Sequence, residues 1–175
     1  LVEAAARPIV QEWKVDDFLA YVESGLTGRS FDTGRRMFQV TACYKCHRFA
    51  GDGGIVGPEL TAVSRRYNAR TLLESIIEPS KVVSDQYEAS VFVLDSGRTV
   101  TGRVVNLNND RIMVCENMLE PGALTTIPRD EIEETQASKV SMMPAGLINT
   151  LSREEVLDLV EKQADSLVAR WLAAN

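Results

Sequence analysis

Histidine is almost missing from this chain: His47 is the only one among 175 residues. A site needing two imidazoles from one chain is therefore excluded, which removes bis-histidine metal coordination and any catalytic His standing opposite a ligating one. Cysteine is nearly as scarce. Cys43, Cys46 and Cys115 make an odd count with two of them in a C-x-x-C spacing, so a secreted disulfide framework is not indicated. Cys115, left without a partner, reads as a small buried hydrophobe in a strand. No stretch approaches the roughly 20 apolar residues that span a bilayer. Leu1-Val2-Glu3 offers neither an initiator Met nor the apolar core of a signal peptide. The expectation is a soluble, trimmed chain, either processed or cut from the carboxyl end of something larger. Clustered basic charge is lacking too. The formal net charge is -6, the pI is near 4.9 and the cations are scattered along the sequence, so nucleic acid is not an expected partner.

What is present is enough apolar material, 45% of residues, for one sizeable core or two small ones. Val15 through Glu23 places Phe18, Leu19 and Val22 on one helical face and stops at Gly25. A second helix is expected from Asp32 as N-cap through Gly34, Met37 and Phe38 toward the cysteines. Gly51, Gly53, Gly54, Gly57 and Pro58 then predict a loop able to follow an irregular surface. Asn68 caps a third helix carrying Leu72, Leu73, Ile76 and Ile77, which must end before Pro79.

The period changes near Gln86. Tyr87 to Leu94 and Thr99 to Leu107 are Val- and Thr-rich and flank the hairpin signal Asp95-Ser96-Gly97-Arg98. Further strands are expected at Arg111 to Glu116 and Leu124 to Ile127, giving a small antiparallel sheet or barrel inserted between helical parts. Ser152 and Glu155 form a capping box before a stripe of Leu157, Val160, Ala164, Leu167 and Trp171. That seam spans about two heptads and reads first as core packing, with a homodimer through this helix as the alternative.

The chemistry concentrates in Cys43-Tyr44-Lys45-Cys46-His47. Two thiols three positions apart followed at once by His is the spacing of c-type haem attachment: the thiols add to two vinyl groups and the imidazole reaches the iron. A tetrahedral zinc would need four ligands, and only Cys43, Cys46, His47 and the distant Cys115 are on offer. A thioredoxin-like pair expects a strand before the motif and a helix opening at it, whereas here a helix leads in. With one His in the chain, the sixth iron position falls to Met, Lys, an amine, water or nothing. Met37 reads as core, Met113 and Met118 lie among the strands, and Met142-Met143-Pro144 lies in a loop before the last helix. Arg65, Arg66, Tyr67 and Lys81 are candidate donors to haem propionates.

The helix, the Cys43-x-x-Cys46-His47 segment, Gly57-Pro58-x-Leu60, the Met-Pro loop and the closing helix together resemble a class I c-type cytochrome. The likeness is closer to the haem-binding domain at the carboxyl end of large planctomycete and verrucomicrobial proteins of the membrane-bound dehydrogenase-like kind. It is carried by Gly34-Arg35-Arg36-Met37-Phe38, Ile77-Glu78-Pro79-Ser80-Lys81-Val82-Val83, Gly102-Arg103-Val104-Val105 and Ser141-Met142-Met143-Pro144-Ala145-Gly146-Leu147, over about Trp13 to Val160. The resemblance implies a mainly α cytochrome c fold with an inserted β-sheet. It divides the chain into an N-terminal helical extension over 1–30, a cytochrome c domain over 31–85 and 136–175, and a β subdomain over 86–135. It also implies one haem c on Cys43 and Cys46, iron ligation by His47 and Met143, a Pro58 carbonyl that accepts the His47 Nδ1 proton, and Leu60 among the cofactor-binding residues. The implied function is one-electron transfer rather than enzymatic turnover, outside the cytoplasm in a periplasm-like compartment, with a dehydrogenase partner or domain as donor. The alternative is an open sixth position serving a gas sensor or a peroxide-reactive enzyme.

Overall fold

The computed structural model describes residues 7–24, 26 and 28–161. Its contacts divide the chain into two compact units, Leu1–Glu78 with Ala145–Asn175, and Pro79–Pro144.

The first unit holds the helices. A 3-10 turn, Val15–Phe18, runs into α1, Leu19–Glu23. Gly25, the expected stop, lies outside the described residues. The second helix, α2, spans Phe31–Val40, and its N-cap is Ser30 rather than Asp32: the Ser30 hydroxyl accepts from the Thr33 amide at 3.2 Å. A neutral hydroxyl in extended backbone satisfies the orphan donor, leaving Asp32 in the first turn where its charge suits the helix dipole. After α2 come two short strands, β1 (Arg48–Phe49) and β2 (Asp52–Gly53), and then α3, Ala69–Ile77, capped by Asn68. Later in the chain α4, Arg153–Val160, starts at the Ser152/Glu155 capping box.

The core of this unit joins Trp13, Phe18, Met37, Leu73, Ile148, Leu151, Val156, Leu157 and Val160. Trp13 and Phe18, from the N-terminal segment, are integral to it: their rings sit 5.0 Å apart and the Trp13 indole donates to the Leu151 carbonyl at 3.0 Å. Burying an indole is favourable only when its N–H finds such a partner. The helices α2 and α4 pack closely at Gly34, where a Cβ would lie 2.4 Å from the Asp158 carbonyl oxygen of α4. Ala164, Leu167 and Trp171, with the homodimer they suggest, lie outside the described residues.

The second unit is a five-stranded antiparallel sheet. In chain order its strands are β3 (Ser90–Leu94), β4 (Thr99–Leu107), β5 (Arg111–Cys115), β6 (Leu124–Pro128) and β7 (Ile132–Ala137). The spatial order is β6-β5-β4-β3-β7, so β6 and β7 form the edges. Phe92, Leu94, Val100, Ile112, Val114 and Ile127 build its core from alternate strand positions. Gly102 permits the close approach of β4 and β5, since a Cβ there would meet the Cys115 carbonyl oxygen at 2.4 Å. Cys115 itself is buried at the end of β5.

The mainly α cytochrome c fold with an inserted sheet does not hold. Strands occupy slightly more residues than α-helices, in a five-stranded and a two-stranded sheet beside four α-helices among the described residues. The reason is local. The glycine-rich stretch closes a hairpin instead of remaining a loop, β7 adds a strand to the sheet, and the helices are short, five to ten residues.

Candidate functional site

The Cys43–His47 segment begins where α2 has to end. The backbone at Ala42 turns left-handed, φ 59°, and Cys43–Lys45 forms a single 3-10 turn. Within it the His47 amide donates to the Cys43 carbonyl oxygen at 2.9 Å. A left-handed non-glycine residue is costly and is kept only where surrounding contacts demand it. Here it ends α2 and leads the chain directly into the Cys43–Lys45 turn.

β1 and β2 pair across a two-residue turn, Ala50-Gly51, with φ of 51° and 89° at the two positions. Positive φ at both central residues is the type I′ geometry that matches strand twist, and an alanine occupies one of them. The hairpin then lies against the motif's own backbone. Gly54 N donates to the Tyr44 carbonyl at 2.7 Å, Gly57 N to Cys46 O at 2.8 Å, and Leu60 N to Arg48 O at 2.9 Å. The density of glycine follows from this packing. A Cβ at Gly53 would stand 2.2 Å from the His47 carbonyl oxygen, and one at Gly54 would stand 2.0 Å from that of Lys45.

His47 is held from two sides. Its Nδ1 lies 2.9 Å from the Pro58 carbonyl oxygen, and Gly57 faces the ring so closely that a Cβ would be 2.9 Å from Cε1. A carbonyl only accepts, so Nδ1 carries the proton and the lone pair resides on Nε2. Burial lowers the imidazole's pKa, and the Pro58 carbonyl opposes this in part, so the neutral ring is favoured. The ring is thus a donor of one defined nitrogen. The segment also orders its first thiol. The buried Thr41 hydroxyl donates to the Met37 carbonyl at 2.8 Å and lies 3.1 Å from Cys43 Sγ, leaving the S–H to donate to Thr41. Burial raises the Cys43 pKa, more than the Thr41 contact lowers it, so the group is a neutral thiol. Sequence reasoning missed Thr41; a hydroxyl two residues before a cysteine is too common a pattern to signal a contact.

Cys43, Cys46, His47, Pro58 and Leu60 therefore come together in the first unit, while Met143 belongs to the second. Met143 is half-buried, its amide donating to the Ser141 hydroxyl at 3.1 Å, and the Ser141 amide donates in turn to Ser80 at 3.1 Å. Of the other methionines, Met37 is in the helical core, with the Arg7 guanidinium 3.3 Å from its sulfur. Met113 is on β5 and Met118 is buried beyond it. Arg66 spends one guanidinium N–H on the Glu59 carbonyl at 3.4 Å, Tyr67 is exposed, and Lys81 lies in the second unit.

No protein-family model and no curated protein matches this chain. Among the described residues, no group of three or more His, Cys, Asp or Glu is gathered as for a metal ion, and Cys115 belongs to the second unit. No described helix is long and apolar enough to cross a membrane.

A covalently attached haem asks for two free thiols, an imidazole whose outer nitrogen keeps its lone pair, and apolar surface beside them. Cys43 and Cys46 form no disulfide, Nδ1 of His47 is occupied by Pro58 so that Nε2 is available, and Ile55, in the loop leading to Gly57, is 72% exposed. The residues present fit the group.

Proposed function

We propose that this chain is a one-electron carrier for a single c-type haem, which Cys43 and Cys46 would hold covalently and whose iron His47 and Met143 would ligate. The observation that carries the reading is the fixed tautomer of His47: a half-buried, neutral imidazole clamped between the Pro58 carbonyl and Gly57, one residue beyond the second of two cysteines that form no disulfide. Such a hydrogen bond orients a ligating ring and raises its basicity.

When bound, a c-type haem supplies a ferric/ferrous couple, whose potential a thioether ligand raises relative to nitrogen. The chain's own part is positional. Thr41 and the left-handed turn at Ala42 aim the Cys43 thiol, the Arg48–Gly53 hairpin fixes the backbone around His47, and Gly57 and Pro58 set the ring's plane and its proton. None of these residues has to gain or lose a proton for an electron to pass, so the site suits electron transfer better than acid–base turnover. The reading carries with it a periplasm-like compartment, where thioether attachment takes place, and a dehydrogenase as electron donor. Mass spectrometry under denaturing conditions, on protein exported with haem-attachment machinery, tests it. The expected mass exceeds the polypeptide by one haem and falls to the bare chain in a Cys43→Ala/Cys46→Ala variant. A bare chain in both would refute the proposal.

A further inference from the structure

The segment that carries Met143 follows β7 with no helix or strand of its own, yet serine side chains tie its backbone down. Where the chain leaves β7, the Ser138 amide donates to the Ala89 carbonyl at 2.8 Å. The buried Ser138 hydroxyl accepts from the Val140 amide at 3.1 Å and donates to the Val140 carbonyl at 3.2 Å. Three residues on, the pattern recurs, with the Ser141 hydroxyl accepting from the Met143 amide at 3.1 Å. Each serine closes a turn over the residue two positions ahead, which gives the backbone partners that a sheet ladder would otherwise supply. The last tie comes from far away in the sequence. Ser80, one residue inside the other boundary of the sheet unit, accepts the Ser141 amide on its hydroxyl at 3.1 Å. The entry and the exit of that unit are thus joined side by side through a side chain.

We propose that Ser80, Ser138 and Ser141 form a latch that orders the Met143 loop before haem is bound, with Ser80 and Ser141 as positioning residues for the distal ligand. The inference rests on the haem reading above and adds to it what holds the methionine. A backbone that is already fixed loses little further freedom when its thioether is engaged. The same ties raise the effective concentration of that thioether against any competing ligand. Ser80 contributes although it lies 61 residues before Ser141, so the latch depends on the fold of the whole sheet unit and not on the loop alone.

The test is displacement of Met143 from the ferric holoprotein by imidazole, followed as loss of the near-infrared sulfur-to-iron band. No electron moves: a nitrogen lone pair takes the place of a thioether lone pair. Removing one hydrogen bond of ordinary strength shifts such an equilibrium about fivefold. Ser80→Ala and Ser141→Ala are each expected to bind imidazole severalfold more tightly than wild type, and Ser80→Thr, which keeps the hydroxyl, is expected to match wild type. Unchanged affinity in either alanine variant would overturn the proposal. So would a Ser80→Thr protein that binds imidazole as tightly as Ser80→Ala, because the hydroxyl would then not be the cause. If an alanine variant retains no haem, amide exchange of Ser141 and Met143 in its apoprotein decides instead: faster exchange than in the wild-type apoprotein is expected, and equal rates refute the latch. Wild-type protein with haem bands but no sulfur band would refute the Met143 ligation proposed above, and is seen before imidazole is added.

Discussion

A methyl group placed at Gly57 has nowhere to go but into the His47 ring, 2.9 Å from Cε1 and 3.0 Å from Nδ1. Gly57→Ala is therefore expected to push the ring off the Pro58 carbonyl and weaken a hydrogen bond worth about 1 kcal/mol. A less basic imidazole stabilises the oxidised iron less, so the reduction potential should rise, on the order of 40 mV if the whole of that energy is felt by one redox state. Spectroelectrochemistry of the haem-bearing variant reads this directly. An unchanged potential would show that the ring's clamp does not tune the ligand. The Cys-x-x-Cys-His spacing made this candidate site legible, because three residues of two scarce types at fixed positions leave few alternatives. The reasons for its glycines and for Thr41 were not legible, since both depend on a hairpin folding back onto the motif.

Among the elements, α2 and α4 touch where Gly34 meets the Asp158 backbone. Gly34→Ala must separate the helices and should cost about 1–3 kcal/mol, the range for overpacking a close contact. Urea unfolding followed by circular dichroism would show it as a lower midpoint at unchanged slope; an equal midpoint would mean the helices part freely. The start of α4 carries a pH dependence. Glu155 is partly desolvated, which raises its pKa, but the Arg7 guanidinium, with its two N–H···O contacts at 2.8 and 3.0 Å, and the Ser152 amide outweigh this and hold it below its ordinary value. A folded pKa below the unfolded one gives stability that is present above the unfolded value and lost as pH falls through the folded one. Stability should decline through the acidic carboxylate range, and Glu155→Gln should flatten that decline while lowering stability near neutral pH. A profile identical to wild type would remove Arg7–Glu155 from the account. The capping residues Asn68 and Ser152 were readable because a cap is a local event. The N-cap of α2 was misread because Ser30 and Asp32, two positions apart, are both capping residue types and differ in which one takes extended backbone.

At the scale of the molecule, two separate cores, one helical and one of strands, replace the mainly α domain that the resemblance implied. Alternation of apolar residues gave β3 to β6 to within a few positions. It missed β7, whose residues are nearly all exposed, since an edge strand without an apolar face leaves no periodic signal. The proposed haem attachment also carries a prediction for the whole chain. Fused to a secretory leader and coexpressed with attachment machinery, the protein should carry haem; without the leader it should remain colourless, and haem bound equally in both would argue against the extracytoplasmic assignment.

The most direct measurement of the central claim is the absorption spectrum of the exported, purified protein, oxidised and then reduced with dithionite. Sharp low-spin c-type bands on reduction, with the weak near-infrared sulfur-to-iron band when oxidised and its loss in Met143→Ala, are expected. Haem bands lacking the sulfur band would contradict Met143 as a ligand, and a spectrum without haem bands would contradict the function itself.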